Sequence, residues 1–303
     1  MSIAPASTDK HAALLDALRE LGSVVVAFSG GVDSAFVAQA AVEALGADKA
    51  LAVTARSPSV PEREIASVAK LAEEIGVAHE FINTAEFEDA NYLANPNNRC
   101  YFCKTELYSK LAPLAAERGF AHVISGINSD DLGDYRPGLK AADEQGIRAP
   151  LAELGISKAE LREMAASRGL SIHDKPASPC LSSRVQYGEA ITPEKLRMID
   201  AAENTLRDLG FRECRVRWHD GLARIEVTAA LLPQLVREPV RSQIESRFRA
   251  LGFRYITIDI SGFRSGSMND AILGPGFAAA KSDAAPAKLS AEIKTPEDKS
   301  PDE

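Results

Sequence analysis

Ser29-Gly30-Gly31-Val32-Asp33-Ser34 is the stretch that decides the fold of this chain. It follows an apolar run at residues 24–28, which is typical of a buried strand in a parallel sheet. It precedes residues 35–42, where helix formers and apolar spacing predict a helix. A strand, a glycine-rich turn and a helix start direct backbone N–H groups and the positive end of the helix dipole at one spot. The stretch therefore predicts an anion site.

The residue types within this stretch suit a phosphate group. Gly30 and Gly31 let the backbone approach closely, and the hydroxyls of Ser29 and Ser34 add donors. The Gly-Lys-Ser/Thr ending of a Walker A loop is missing, so this is a different phosphate cradle. It resembles the pyrophosphatase motif of the ATP-pyrophosphatase superfamily, whose members split ATP into AMP and pyrophosphate. The alternative is an ordinary glycine-rich turn in which Asp33 or Ser34 caps the helix.

Length and composition are those of a soluble enzyme. The chain has 303 residues and 45% hydrophobic content, enough for one large domain or two smaller ones. No apolar run approaches membrane-spanning length, which predicts a cytoplasmic protein. The net charge of −8 disfavours a nucleic-acid substrate. Four cysteines in a long intracellular chain indicate metal binding or catalysis more than a disulfide scaffold.

Strands and helices alternate in the first half of the chain. Predicted strands lie at residues 24–28, 50–55, 78–82 and 122–125, and predicted helices near residues 31–45, 61–75, 104–118 and 157–168. This alternation predicts an α/β fold, a parallel sheet with helices on both faces and ligands at the carboxyl ends of the strands. Thr54 and Arg56 follow the second strand, and Gly126 follows the fourth. Ser157 and Glu160 have the spacing of a capping box.

A different pattern begins after residue 188. Helices near residues 193–209 and 237–251 accompany predicted strands at 213–218, 222–227 and 255–260. Asp220-Gly221 between the first two strands is a hairpin signal. We therefore predict a PP-loop domain over residues 1–188 and a small α+β domain over residues 189–275 for substrate binding or oligomerisation. From about Ala278 the chain is rich in Ala, Lys, Ser, Pro and Glu and has no aromatic residues, so we predict a disordered tail over residues 276–303.

Three cysteines stand in contexts that indicate chemistry. Cys100 and Cys103 form a C-x-x-C just before a predicted helix, and Cys180 lies in Ser178-Pro179-Cys180-Leu181. A structural zinc site, a redox pair and a [4Fe–4S] cluster with one open iron all remain compatible with this spacing. Cys214 lies among apolar neighbours on a predicted strand, which favours a buried structural role.

Three arginines are candidates for anion recognition. Arg215 and Arg217 are two residues apart on a predicted strand and so project from one face. Arg264 follows the last strand of the same predicted domain. Arginine suits bidentate recognition of phosphate or carboxylate. The alternative is a solvated strand face paired with Glu213 or Glu226.

Taken together, these segments resemble the LarE family of pyridinium-3,5-bisthiocarboxylic acid mononucleotide synthases. The resemblance covers roughly residues 10–270, and its ordered set of motifs is specific. The matching stretches are residues 27–34, 99–104, 125–131, 134–138, 147–151, 175–188, 215–217 and 262–264.

The resemblance implies an adenine nucleotide alpha hydrolase-like PP-loop domain that uses ATP and Mg²⁺. ATP would adenylate the carboxylates of the pyridinium mononucleotide, a precursor of the nickel-pincer cofactor. Asp33 would be catalytic and a Mg²⁺ ligand. The implied nucleotide-binding residues are Ser29, Gly30, Gly31, Asp33, Ser34, Thr54, Arg56 and Gly126.

The resemblance also implies two routes for sulfur. In members with a single active-site cysteine, the residue matching Cys180 gives up its own sulfur and becomes dehydroalanine. Here Cys100 and Cys103 accompany Cys180, which matches a branch that binds a [4Fe–4S] cluster and transfers a cluster-bound sulfide. Arg215, Arg217 and Arg264 would receive the phosphate or carboxylates of the substrate. Family members are homo-hexamers.

Other functions remain open from the sequence. A tRNA thiolase of the same superfamily would share adenylation and the cysteines, but should carry a basic RNA surface. An amide-forming ligase such as an NAD or GMP synthetase would use ammonia and need no cysteines. A nucleotide-sensing module would keep the ATP cradle without turnover, and pyrophosphate release would distinguish it.

Overall fold

A four-stranded sheet forms from the first half of the chain in a computed structural model that describes residues 7–133 and 136–264. Its strands are β1 (Val24–Ala27), β2 (Ala50–Arg56), β3 (Ala78–Asn83) and β4 (His122–Ile124). The strand order is β3-β2-β1-β4, and every pair is parallel. The predicted α/β fold class is confirmed.

Helices connect and cover these strands. Those that precede or follow the sheet strands are α1 (Ser7–Leu21), α2 (Val32–Leu45), α3 (Glu62–Ile75), α4 (Ala90–Leu93), α5 (Arg99–Glu117), α6 (Ser129–Leu132), α7 (Gly138–Glu144), α8 (Pro150–Glu153) and α9 (Lys158–Ser167). The predicted start of the third long helix at residue 104 is wrong, because α5 begins at Arg99. Cys100 and Cys103 are therefore the second and fifth residues of this helix and do not precede it. The aromatic residues between the two cysteines weaken the sequence signal for a helix. Arg99 is nevertheless buried and donates to the Asn95 side chain, and these tertiary contacts override the local preference.

The central strands β1 and β2 are buried on both faces, which explains why they are continuous apolar runs in the sequence. Val24 and Val26 of β1 pack in one core with Leu14 of α1 and Phe36 of α2. Val25, between them, points to the opposite core beside residues of α5 and α7. The alternation along one strand thus places one helical layer on each face of the sheet.

The second half of the described chain builds a smaller sheet with its own core. The remaining elements are α10 (Pro193–Asp208), β5 (Cys214–His219), β6 (Leu222–Val227), α11 (Leu232–Leu235), α12 (Val240–Ala250) and β7 (Tyr255–Ile258). β5 and β6 form the predicted antiparallel hairpin, and β7 adds in parallel to β6. Leu206, Phe211 and Phe248 are buried between this sheet and its helices.

The described residues up to Phe263 belong to one compact unit. The division at residue 188 therefore stays a prediction about domain organisation, supported by the separate cores of the two sheets. The predicted tail at residues 276–303 lies outside the described residues. Within the described ranges, no helix has the length and apolar character needed to cross a membrane.

Candidate active site

The turn between β1 and α2 is open at the helix start. Helix α2 begins after Gly31, and no side chain in the described structure caps it. The amide of Ser29 donates to Ser34 Oγ at 3.2 Å, and Ser34 Oγ donates to the Gly31 carbonyl at 3.1 Å. Neither Asp33 nor Ser34 caps α2, so the capping role in the alternative interpretation is wrong. The first-turn N–H groups and the helix dipole remain directed at a ligand position.

Two glycines allow the backbone to close around this position. Gly30 has φ +71°, and a Cβ there would lie 3.1 Å from the Val68 side chain. Gly126 follows β4, and a Cβ there would lie only 2.6 Å from the Ser34 amide nitrogen. The loop after β4 therefore touches the start of α2, and only glycine permits that approach.

Two lysines that sequence reasoning missed lie at the same turn. Lys158, the first residue of α9, pairs its ammonium with the carboxylate of Asp33. Lys175 donates to the Gly30 carbonyl at 3.1 Å and to Glu64 at 2.7 Å. A cation at a helix N-terminus is unfavourable with respect to the helix dipole. The position of Lys158 directly after the capping residue Ser157 could therefore have indicated that this lysine has a functional role. Both cations lie where phosphate charge would need neutralising.

A second carboxyl lies near Asp33. Asp131 accepts from the Asn128 amide at 3.2 Å and pairs with Arg136 at 2.8 Å. Desolvation raises the pKa of Asp131, Arg136 opposes that rise, and the charge of Asp33 adds to it. The charge of Asp33 thus acts on Asp131 across the start of α2. Mg²⁺ bound with ATP commonly takes one or two carboxylates together with phosphate oxygens, so this donor set fits a Mg²⁺ ion delivered with ATP.

The end of β2 carries Thr54 and Arg56 in defined environments. Thr54 Oγ1 donates to the Phe28 carbonyl at 2.7 Å and lies 2.8 Å from His79 Nε2. The Arg56 guanidinium lies over the Phe81 ring, 4.0 Å from its centroid. The Thr54 hydroxyl is therefore occupied in joining β2 to the end of β1. Roles for Thr54 and Arg56 in nucleotide binding remain predictions.

The structure brings the segments of Cys100, Cys103 and Cys180 together. Cys180 directly precedes a 3₁₀ turn, Leu181–Arg184, and Cys103 packs in the same apolar cluster as Leu181. Arg99, beside Cys100, donates to the Ser182 carbonyl at 2.8 Å. Among the described residues, no three Cys, His, Asp or Glu side chains already form a metal-binding group. The thiols are neighbours, but they are not arranged as ligands around a common centre.

The surroundings of Cys100, which is exposed, and of Cys103, which is half-buried, act on the pKa values of their thiols. Desolvation raises the pKa of Cys103 to about 12, with Lys104 opposing the rise and a charge on Cys180 adding to it. Desolvation also raises the pKa of Cys100, and a charge on Cys180 is the next largest cause. A raised pKa disfavours the thiolate form of Cys100 and Cys103 in the free protein, so neither is suited to act alone as a nucleophile. Cys214 is fully buried on β5, as the sequence predicted.

The Cys180 loop reaches the nucleotide edge of the large sheet. The Leu181 amide donates to the Ser59 carbonyl at 2.8 Å, and Ser59 lies in the loop that follows β2. The carboxyl ends of parallel strands form the ligand-binding edge in folds of this kind. The cysteine segment therefore borders the same edge as the phosphate cradle.

Arg215 and Arg217 point inward, not to solvent. Arg217 makes two bonds to Glu226, at 3.0 and 2.9 Å, and Arg215 lies over the Phe263 ring at 4.9 Å. The two residues are 7% and 5% exposed, so the solvated face in the alternative interpretation is wrong, although its pairing with Glu226 is present. A substrate anion would reach these guanidiniums by exchanging some of these contacts, and their substrate role stays a prediction. Arg264 is the last described residue, and its predicted substrate role also stays a prediction.

Comparison with known proteins separates a local likeness from a full-length one. A family model described as NAD synthase matches residues 11–99. An NH(3)-dependent NAD(+) synthetase of Methanococcoides burtonii is 40% identical over 73 residues, 24% of this chain and 28% of that protein. Both matches are partial, and the model match ends before the first cysteine.

The full-length likeness is to a different enzyme. A pyridinium-3,5-bisthiocarboxylic acid mononucleotide synthase of Lactiplantibacillus plantarum is 39% identical over 263 residues, 87% of this chain and 95% of that protein. The chain belongs to this synthase family, LarE. An uncharacterized protein of Synechocystis sp. is 49% identical over 250 residues, 82% of this chain and 93% of that protein. The LarE assignment confirms the resemblance read from the motifs, and the NAD synthase match reflects the shared nucleotide-binding half.

Proposed function

We propose that this protein is an AMP-forming, ATP-dependent sulfurtransferase. It converts the carboxylates of pyridinium-3,5-biscarboxylic acid mononucleotide to thiocarboxylates, for biosynthesis of the nickel-pincer nucleotide of lactate racemase-type enzymes. One observation carries the proposal. The Cys180 loop is bonded through Leu181 to the loop after β2, so sulfur chemistry and the phosphate cradle share one edge of the sheet.

The first step activates a carboxylate. A carboxylate oxygen of the substrate attacks the α-phosphorus of ATP, the bond to the β-phosphate oxygen breaks, and pyrophosphate leaves. Without this step, sulfur would have to expel oxide. The open N–H groups at the start of α2 would bind the departing pyrophosphate. Lys158 and Lys175 would neutralise the charge of the pyrophosphate. When ATP binds with Mg²⁺, the carboxylate of Asp33 would give up its ion pair with Lys158 and coordinate the ion instead.

The second step transfers sulfur. A sulfur nucleophile attacks the carbonyl carbon of the acyl adenylate, the acyl–oxygen bond breaks, and AMP leaves with the electron pair. A Cys180 thiolate could supply the sulfur only once: after it forms a thioester with the substrate, removal of the Cα proton and cleavage of the Cβ–S bond would release the thiocarboxylate and leave dehydroalanine. An added sulfide held near Cys180 would allow repeated turnover.

The donor set favours the repeated route. Cys100, Cys103 and Cys180 would hold a [4Fe–4S] cluster, which when bound supplies an open iron for a sulfide. Arg99 and Lys104 act electrostatically on these thiols, and their positive charges would balance the anionic cluster. The cysteine segments already lie beside one another, since Cys103 packs with Leu181 and Arg99 bonds the Ser182 carbonyl.

Alternatives within the superfamily are less well supported. An amide-forming ligase has no use for three clustered cysteines, and the NAD synthase likeness stops before them. A tRNA thiolase should carry a basic surface, whereas this chain has a net charge of −8. We also propose a cytoplasmic homo-oligomer, a hexamer by likeness to the family, with the small α+β domain contributing substrate binding or oligomer contacts.

Product analysis tests the proposal. Incubation of the protein with ATP, Mg²⁺ and the biscarboxylic acid mononucleotide should release pyrophosphate and AMP and yield thiocarboxylate. Asp33→Ala should nearly abolish pyrophosphate release, whereas Asp16→Ala, which removes an exposed carboxylate on α1, should not. Formation of ADP and phosphate instead would rule out this enzyme class. Release of neither AMP nor pyrophosphate would favour the nucleotide-sensing alternative.

A further inference from the structure

Backbone carbonyls of the loop around Cys180 are bonded to guanidinium groups from three parts of the fold. The acceptors are the carbonyls of Ala177, Pro179, Cys180, Ser182 and Ser183, and the donors are Arg215, Arg184, Arg99 and Arg217. A loop of this kind is ordinarily free to move. Here charged donors restrain nearly every peptide on either side of the thiol.

Arg184 makes the contact to Cys180 itself. Its Nη1 donates to the Pro179 carbonyl at 2.7 Å and to the Cys180 carbonyl at 3.2 Å. Its Nε and Nη2 donate to the two carboxylate oxygens of Glu203 at 2.8 and 3.1 Å. Neither side chain is exposed to solvent. One edge of the guanidinium therefore holds the Cys180 peptide, and the other is fixed to α10.

Glu203 is itself anchored to the small sheet. The Val216 amide of β5 donates to Glu203 Oε1 at 3.1 Å, and Arg207 donates to Oε2 at 2.8 Å. The carboxylate thus has fixed partners on both oxygens besides Arg184. These bonds fix the carboxylate of Glu203, and the carboxylate in turn fixes the guanidinium of Arg184. The guanidinium therefore restrains the position of the Cys180 carbonyl.

A fully buried ion pair is a poor source of net stability. Taking both charges out of water costs about as much as their attraction returns, and apolar pairs of similar size are often equally stable. The contribution of the planar Arg184 guanidinium is instead to fix relative positions, because it bonds the Glu203 carboxylate and two backbone carbonyls at the same time. A displacement of about 1 Å at a reacting group can reduce a rate about 10²-fold.

We propose that Arg184 is a positioning residue that sets the location of Cys180 for sulfur transfer. The inference rests on the proposed function for its catalytic consequence, but the restraint on Cys180 can be measured without turnover. Arg184→Lys keeps a positive charge opposite Glu203 and removes the fork. Arg207→Lys is the matched control, because Arg207 bonds the same carboxylate and no described bond joins it to the Cys180 loop.

The first readout is alkylation of the intact protein by iodoacetamide, resolved peptide by peptide at matched iron content. Arg184→Lys should raise the alkylation rate of Cys180 at least tenfold, and Arg207→Lys should stay within twofold of the unaltered protein. Buried Cys214 should remain protected in both, which separates local release from unfolding. If Arg184→Lys unfolds, the double substitution Arg184→Met with Glu203→Gln removes both charges and keeps an acceptor for Val216. It should give the same selective rise at Cys180.

The second readout separates the two half-reactions. Arg184→Lys should release pyrophosphate within twofold of the unaltered enzyme and form thiocarboxylate at least tenfold more slowly. Unchanged Cys180 alkylation in both Arg184 variants, or equal effects of Arg184→Lys and Arg207→Lys, would overturn the positioning role. Absence of pyrophosphate release from the unaltered enzyme would instead refute the proposed function and leave the alkylation result standing.

Discussion

Replacement of Gly126 by alanine is a direct test of how the nucleotide edge is built. The added Cβ would lie 2.6 Å from the Ser34 nitrogen, 2.8 Å from the Asp33 carbonyl carbon and 2.9 Å from Ser34 Cα. Favourable carbon contacts fall at about 3.5–4.0 Å, so the overlap is about 1 Å against three backbone atoms. A flexible side chain cannot relieve it, because the obstructing atoms belong to the first turn of α2.

The expected magnitude follows from that overlap. Overpacking of a well-packed site costs about 1–3 kcal/mol, and a backbone clash belongs at the upper end. We expect Gly126→Ala to lower the free energy of unfolding by about 2–3 kcal/mol. The helix start must also shift by a large fraction of an ångström, and a shift of about 1 Å at a binding site reduces a rate about 10²-fold.

Two assays measure these effects separately. Urea unfolding with an unchanged m-value measures the loss of stability. The rate of pyrophosphate release per folded molecule measures the effect on the nucleotide site at the start of α2. Gly133→Ala is the matched control, because its φ is −87° and its Cβ would meet only the Asp130 carbonyl, at 3.9 Å. If Gly126→Ala matched Gly133→Ala in both assays, the close approach of the two loops would be refuted. Lost stability with a normal pyrophosphate rate would limit Gly126 to a structural role.

Three further predictions address the remaining groups. Lys158→Met should slow pyrophosphate release at least tenfold by removing the cation that pairs with Asp33, and unchanged release would exclude this lysine from the phosphate site. Arg217→Ala should weaken mononucleotide binding about tenfold or more, as expected for a charge-assisted contact of about 1.5–3 kcal/mol, with ATP affinity retained. Arg224→Ala is the control, because Arg224 also pairs with Glu226. If binding titrations gave the same mononucleotide affinity for the two variants, the role of Arg217 would be structural alone. Protein purified without oxygen should be brown, and Cys180→Ala should remove the colour whereas Cys214→Ala should keep it. If the protein stayed colourless after reconstitution with iron and sulfide, and its intact mass showed loss of H₂S from Cys180 after turnover, the sacrificial route would be established instead.

Interactions between near neighbours in sequence were predictable. The turn at Gly30, the capping box of Ser157 with Glu160 and the hairpin across Asp220 each depend on a few adjacent residues. The same holds for the start of α2 directly after the glycine-rich turn. These features were readable because backbone preference and side-chain capping act over one or two turns of chain.

The periodicity of β5 shows where such reasoning stops. The two-residue spacing of Arg215 and Arg217 establishes that they share a face, but spacing does not say which face is buried. That choice depends on Glu226 of the adjacent strand and on Glu203 of α10, which neutralise the arginines inside the fold. Desolvation lowers the pKa of Arg215 to about 10, a sign of how unusual this burial is for a guanidinium.

The sequence by itself determined the fold class and the family, because both depend on contiguous motifs such as the glycine-rich turn before α2. Only the tertiary structure decided which charges meet. Lys158 reaches Asp33 across 125 residues, and Arg99 reaches the Ser182 carbonyl across 83. Such pairs depend on the order in which strands join the sheet and on where each loop ends. Local propensity carries no information about either, because long-range contacts are selected by packing of the whole chain and not by the residues beside them.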